Sequence, residues 1–483
     1  MNNNHKISLK EKIGYSLGDL SANLVFQTLV TYLAYFYTDI YGLETKDASV
    51  IIFIVGMIAA FAFNPIIGAL ADRSRSKWGK FRPWILFTSV PLGIVALLAF
   101  STPNFDYTGK VAYAAITYTL LLLLYAANNL PYAALSGVIT GSMKERNSIS
   151  SYRFVAVMFA QFFVQVFMLP IIEYAGDGDK AVGIEIVMTY LAIIGTVMLL
   201  ITFFTTKERV IPTVEQKSSL KEDLGDLVKN KPWIIMLVLT TLVFITLAMK
   251  GGSYVYYFEN YVDAASLGEF IGPLLHGLNT IGIDFFGDNP ISAGFGLFNA
   301  GGIIFMIVGI SLSKGLADKF GKRDVFGWAL FVSTLFIAVF YFFTPTSVEL
   351  MFLSQILHGF FYGITIPLLW AMIADVADYS EWKNNRRATA IIFSAMMIGL
   401  KLGLTIGSSL VTWILGLYNY IPMKFATTEM VTQPESAIEG TKLLVSIYPA
   451  IAFFLAIALL FFYEINKKME TQIEEDLITR RKA

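Results

Sequence analysis

Along the chain, long apolar runs alternate with polar connections, and twelve of the runs are long enough for a helix to cross a bilayer's hydrocarbon core, which takes about 20 residues. They lie near 14 to 38, 48 to 71, 84 to 101, 111 to 139, 153 to 173, 183 to 205, 233 to 261, 292 to 312, 325 to 345, 348 to 376, 388 to 418 and 441 to 465. None shows the period-two alternation of a membrane barrel. In lipid every backbone N–H and C=O must be satisfied within its own segment, so the pattern predicts transmembrane helices and an all-α membrane protein. Two connections are long. Residues 206 to 231 are hydrophilic, and there Ser219 and Glu222 form a capping box ahead of Leu220, Leu224 and Leu227, which predicts a short amphipathic helix on the membrane. Residues 262 to 291 are apolar, as in Phe270-Ile-Gly-Pro-Leu-Leu-His276, and read as a folded extracellular flap.

Charge orients these helices. With Arg153 and Lys442, at the edges of their runs, counted to the adjoining connections, the N-terminus, the even-numbered connections and the C-terminal tail hold 29 of the 36 Lys and Arg, the odd-numbered connections hold five, and two fall inside runs. This positive-inside bias places both termini in the cytoplasm. The expected organisation is a six-helix bundle over 1–205, a cytoplasmic linker over 206–231, a second six-helix bundle over 232–465 and a short charged cytoplasmic tail over 466–483. Composition agrees with a bilayer setting: 56% hydrophobic residues, 40 Phe and 15% charged residues leave too much apolar surface for one soluble globule. The absence of Cys excludes disulfides and thiolate metal sites. The first apolar run is longer than a signal-peptide core and lacks a small-residue cleavage site, so it is expected to remain as a span.

A dense cationic loop, Leu70-Ala-Asp-Arg-Ser-Arg-Ser-Lys-Trp-Gly-Lys-Phe-Arg-Pro-Trp84, returns in shortened form at Leu316-Ala-Asp-Lys-Phe-Gly-Lys-Arg323. Pro131 and Pro367 likewise precede matched cationic loops. Positive-inside charge accounts for the Lys and Arg but not for the repeated order of Asp and Gly-Lys. Two halves of equivalent layout are the parallel-repeat arrangement of alternating-access transporters. Asp72, Arg73, Arg82 and Asp318, at the cytoplasmic surface, are therefore assigned to gating, where ion pairs lock one conformation and break in another.

Inside the runs, Asn23 and Asn129 are amides deep in apolar helices, able to meet sugar hydroxyls with donors and acceptors, or to act as interhelical glue. Tyr125 lies one turn before Asn129 on the same face. Lys401, thirteen residues into the eleventh run, cannot easily reach either interface, and a charge at that depth marks a substrate or ion path. Lys250 is followed by Gly251-Gly252, where the helix could break around a cavity or pack closely on a neighbour. Asp19 sits one turn before Asn23. His358 reads as a satisfied core residue.

Taken with Tyr37-Thr-Asp-Ile-Tyr-Gly42, Arg75-Ser-Lys-Trp-Gly-Lys-Phe-Arg-Pro-Trp84, Asn129-Leu-Pro-Tyr132, Lys144-Glu-Arg146, Ala374-Asp-Val-Ala-Asp-Tyr379 and Lys401, the loop motif resembles the glycoside-pentoside-hexuronide cation symporters, the melibiose carrier group of the major facilitator superfamily. The resemblance implies twelve helices in two bundles. It also implies a sugar site with carboxylates on the first and fourth helices, positions that read Asn23 and Asn129 here, beside the matching Tyr125 and Arg153. A stacking Trp of the family reads Ala133, and the two helix-two carboxylates of its sodium site read Ala60 and Asn64.

The resulting expectation is a secondary transporter importing a glycoside, small oligosaccharide or uronide by cation-coupled symport. The alternatives are an uncoupled facilitator, a non-transporting sugar sensor, which would be expected to carry an added signalling domain, and a membrane glycosyltransferase, for which no loop supplies a carboxylate or metal cluster. Substrate binding falls to Asn23, Tyr125, Asn129, Arg153, Lys250 and Lys401, and cation coupling to Asp19 and Asn64. With the sodium carboxylates absent, H+ is expected as the coupling ion ahead of Na+, carried by Asp19. The unreplaced cations favour acidic sugars. No cofactor, metal or nucleic acid is expected, and the carrier is placed as a monomer in a bacterial cytoplasmic (inner) membrane.

Overall fold

The computed structural model describes residues 6–140, 142–210, 230–282, 286–287, 289–384, 389–422 and 432–482, without the side chains of 72, 143, 144, 384, 389–391, 394, 395, 481 and 482. The described chain is helical: α1 (Leu9–Tyr35), α2 (Thr45–Ile58), α3 (Asn64–Arg73), α4 (Arg82–Ala99), α5 (Tyr107–Ile139), α6 (Met143–Ala175), α7 (Lys180–Thr205), α8 (Lys231–Asn260), α9 (Ala264–Thr280), α10 (Pro290–Phe320), α11 (Lys322–Ala338), α12 (Val348–Asn384), α13 (Thr389–Leu417), α14 (Glu435–Val445), α15 (Ile447–Leu460) and α16 (Lys467–Lys482). It forms two compact units. Unit 1 comprises 1–215, 272–296 and 421–432; unit 2 comprises 216–271, 297–420 and 433–483.

Among the described residues eleven helices are long and apolar enough to span a membrane. The helix that falls short of the sequence expectation is α1. It is 27 residues long, but Gly14, Ser16, Gly18, Asp19, Ser21, Gln27, Thr28 and Thr31 dilute its hydropathy. These positions are buried, so α1 turns its polar groups into unit 1, where it packs on α6 and α7.

The second span, Thr45–Ala71, is continuous but not regular. A π-turn at Ala59–Phe63 joins α2 to α3. Pro65 offers no N–H, so the ladder must be interrupted near it, and a widened turn absorbs the break.

In unit 2, α8 runs unbroken through Gly251-Gly252, against the alternative that it breaks there. Both glycines stay in a helix whose neighbouring residues Lys250, Ser253 and Tyr254 are buried, and an intact ladder is the lower-cost solution where water cannot reach. The close approach is made on the other side: a Cβ at Gly407 of α13 would lie 2.5 Å from the Ile245 carbonyl, so glycine there lets the α8 and α13 backbones touch.

The long apolar connection contains α9, started by Asp263, whose carboxylate accepts from the Ser266 N–H (2.8 Å) and hydroxyl (2.7 Å). Those two bonds hold the Asp263 pKa below the ordinary carboxylate value. Leu267 and Ile271 are buried, and Phe270 meets Phe352 at 5.0 Å between ring centroids. The amphipathic helix expected around Ser219 and Glu222 lies outside the described residues. At the chain's end α16 is more than a charged tail: it buries Ile473 and Leu477, and its Asp476 accepts from the Trp382 indole at 2.8 Å.

Candidate substrate and cation site

In unit 1, Tyr15, Asp19 and Asn23 recur at four-residue spacing along one face of α1. Asp19 is 6% exposed and pairs through Oδ2 with Arg153 Nε of α6 at 2.8 Å. Asn23 Nδ2 donates back to the Asp19 carbonyl (2.9 Å) and to its Oδ1 (3.3 Å). Beneath the guanidinium, Tyr15 and Tyr132 stack with centroids 4.6 Å apart. Each hydroxyl donates to the other residue's carbonyl, Tyr15 to Tyr132 at 3.0 Å and Tyr132 to Tyr15 at 2.7 Å. Arg153 lies 5.7 Å and 5.5 Å from the two ring centroids. The guanidinium thus has one carboxylate and two aromatic faces, both favourable to a cation in a low-dielectric setting.

The fourth-helix residues separate into two roles. Asn128 is 1% exposed and donates to Thr88 Oγ1 at 2.7 Å, tying α5 to α4. Asn129 is half-buried and makes no hydrogen bond to a described residue, so its amide is open to a ligand. Tyr125, one turn away, lies within electrostatic range of Asp19. The sequence places both asparagines in the same apolar run; only the packing shows which one is glue.

Asn64 Nδ2 donates to the Ala59 carbonyl at 2.7 Å, and Ala60 is buried without offering any oxygen of its own side chain. Among the described residues no group of three or more His, Asp or Glu could hold a metal ion. A carboxylate-lined sodium site does not fit helix two, where one neutral amide carbonyl remains.

The cationic loop is anchored within unit 1. The Glu208 carboxylate accepts from the backbone N–H of Lys80 (2.7 Å), Phe81 (2.7 Å) and Arg82 (3.0 Å), capping α4. Gly79 precedes them at φ +113°, and a Cβ there would run into the Glu208 carboxylate, so the loop needs glycine at this point. Arg82 donates to the carbonyls of Phe203 (2.6 Å) and Trp78 (3.1 Å) and covers the Phe203 ring at 4.6 Å. Next to this cap, Arg209 holds both Glu11 oxygens (2.7 and 2.8 Å), bonds that raise the Arg209 pKa. Arg73 is exposed and its side chain makes no hydrogen bond to a described residue; Asp72's side chain lies outside the described ones.

In unit 2 the Asp318 side chain is exposed, and its carbonyl accepts from Lys467 at 2.8 Å. The ion pair of this region is instead Lys322 with Asp375 and Glu470, each at 2.7 Å. Sequence reasoning missed it because Asp375 and Glu470 are far from Lys322 in the chain; the repeated Gly-Lys pair was the available signal. It likewise missed Tyr15, and it met Tyr132 only as the end of the Asn129-Leu-Pro-Tyr132 motif. Lys250 is 6% exposed on α8, and Lys401 is half-buried on α13; neither has an acidic partner among the described residues.

The MFS/sugar transport protein family matches residues 14–288 and 289–467. Over 453 residues the chain is 34% identical to the inner membrane symporter YicJ of Escherichia coli, covering 93% of this chain and 90% of the relative. It is 33% identical over 479 residues to the putative glycoside/cation symporter YagG of the same organism, covering 99% and 96%. Among solved structures, a bacterial homologue of the human lysosomal transporter Spinster shares the fold at a TM-score of 0.63 and 13% identity, over 94% of this chain and 95% of that one.

Proposed function

We propose, from the premise that the chain belongs to the MFS/sugar transport protein family, that it imports a glycoside, small oligosaccharide or uronide by cation symport with alternating access. Its setting is a bacterial inner membrane, crossed by twelve helices with α1 as the twelfth, both termini in the cytoplasm. The observation that carries this reading is the Asp19–Arg153 pair of unit 1, with Asn23 tied to it and the Asn129 amide open on the neighbouring helix. Two charges taken out of water are a costly way to hold helices together, and apolar residues would serve packing better. A pair that opens and closes during a cycle is what symport requires.

A proton bound at Asp19 neutralises its carboxylate and frees the Arg153 guanidinium for sugar oxygens, with Asn23 and Asn129 meeting further hydroxyls and Tyr125 offering a ring face. Loss of that proton restores the pair. Lys401, on α13 of unit 2, stays a candidate substrate contact because of its depth in the span and its lack of an acidic partner among the described residues. The likeness to YagG, named a putative glycoside/cation symporter, supports both halves of the reading.

Uptake of labelled glycosides and uronides into proteoliposomes tests it, with pH and sodium gradients imposed separately. An inward proton gradient is expected to drive accumulation, and Asp19→Asn to abolish it while counterflow exchange persists. Sodium stimulation at fixed pH that survives Asp19→Asn would overturn the proton assignment. Uptake that only equilibrates under either gradient would identify an uncoupled facilitator.

A further inference from the structure

The long apolar connection carries an amphipathic helix that outruns its support. Along α9, Leu267, Ile271, Leu274 and Leu278 recur at three- and four-residue spacing on one face, with Phe270 and Ile281 at its edge, while Glu269, His276 and Thr280 lie opposite. The first half of that apolar face is covered, since Leu267 and Ile271 are buried. Beyond them the pattern continues but the cover stops. Leu274 is 53% exposed, Ile281 70% and Phe270, at the boundary, 39%.

Two contacts within unit 2 fix the level of this helix. The Asp263 N–H donates to the Pro345 carbonyl at 3.0 Å, so α9 begins beside the connection that leads into α12. Two turns on, the Phe270 ring meets Phe352, one turn inside α12, at 5.0 Å between centroids. α9 therefore runs level with the end of a span instead of away from it. On α12 the neighbouring Leu350 and Leu353 are exposed side chains of a membrane-crossing helix, which puts them against lipid. An open cleft of about 620 Å³ adjoins both Phe270 and Leu350 and leaves the two apolar surfaces accessible from one side.

We propose that α9 is an interfacial helix whose uncovered apolar face rests on the outer leaflet of the bilayer, the partner being a phospholipid surface with zwitterionic headgroups. Continuity with the lipid-facing side of α12 favours lipid over a second copy or a soluble protein. Charge selects the headgroup: residues 262–291 contain Asp263, Glu269, Asp284 and Asp288 and neither Lys nor Arg, so an anionic surface repels them. The choice of leaflet rests on the orientation given under the proposed function; the interfacial placement does not. The connection between α8 and α10 is then moored on the membrane at its midpoint, where its sequence alone reads as a flap.

The test uses the full chain in phosphatidylcholine nanodiscs, with single cysteines introduced into a chain that has none of its own and each labelled with a nitroxide. Collision of the label with oxygen, which concentrates in lipid, and with a water-soluble nickel chelate reads its depth. Labels at Leu274→Cys and Ile281→Cys are expected to favour oxygen and to lie about 5–10 Å into the headgroup and acyl boundary. Labels at Glu269→Cys and His276→Cys are expected to favour nickel. Adding Leu274→Glu to the Ile281→Cys chain is expected to shift its label toward water, and phosphatidylglycerol discs are expected to reduce the depth. All four labelled positions are exposed, so each chain is expected to keep the parent's thermal midpoint. Nickel preference on both faces would overturn the proposal in favour of a flap in solvent. Low collision with both reagents at the two apolar sites would overturn it in favour of protein cover, with spin–spin broadening marking a second copy. Deeper insertion in phosphatidylglycerol would overturn the headgroup assignment. In intact spheroplasts a membrane-impermeant maleimide is expected to label His276→Cys; labelling only after lysis would overturn the outer placement and the orientation with it. None of these readouts depends on a transported sugar, so the carrier reading stands or falls separately.

Discussion

Unit 1 holds Arg153 against a carboxylate and two stacked tyrosines, whereas unit 2 keeps Lys250 and Lys401 within its helices without an acidic partner among the described residues. The two units match in their cationic loops and differ in how their interior charge is balanced. A neutral pair is stable by itself and needs a proton or ligand to open it. The two lysines of unit 2 have no such counter-charge among the described residues. On the proposed reading, coupling falls to the first unit, where a proton can open the pair.

The comparison is broken most directly from the paired side. Arg153→Met strands the Asp19 carboxylate and is expected to cost about 3–5 kcal/mol, read as a fall in thermal midpoint, with Asp19→Asn in the same chain recovering most of it. Simple additivity of the two losses would show that they are not a working pair. A smaller effect separates glue from site: Asn128→Ala, which loses the bond to Thr88, is expected to cost about 1–2 kcal/mol. Asn129→Ala is expected to stay within about 0.5 kcal/mol of the parent in stability while lowering sugar affinity. Reversal of that order would move the open amide to the other asparagine. The smallest effect tests the anchoring of the loop. Glu208→Ala removes an anionic cap from three N–H groups and is expected to cost about 1 kcal/mol, with sugar affinity unchanged in a binding assay.

Eleven of the spans, the repeated loop and the shared face of Asp19 and Asn23 could be read from the sequence because they depend on local hydropathy and spacing. Four-residue spacing on α1 put Asp19 and Asn23 on one face, and the side chains do meet. The Arg153 partner could not be read, since 134 residues separate it from Asp19 and only packing joins them. Nor could the roles of Asn128 and Asn129, adjacent positions that differ by a rotation of one residue about the helix. His358 was legible as a core histidine: Ser333 bonds its ring and Tyr362 stacks on it. The ladder through Gly251-Gly252 stayed intact because composition signals a local weakness but does not say whether neighbours compensate for it.

The widened turn at Ala59–Phe63 changes how helix two should be numbered into faces. Residues 60 and 64 would share a side in a regular α-helix, which is the assumption behind placing two cation ligands there. The side-chain amide of Asn64 instead reaches back five residues, to Ala59. One extra residue in the register turns everything after it by about 100° relative to the count carried forward from α2. Deleting a single residue within the turn would therefore act as a rotation rather than a shortening, swinging the segment from Asn64 to Arg73 to a different azimuth while leaving its composition untouched.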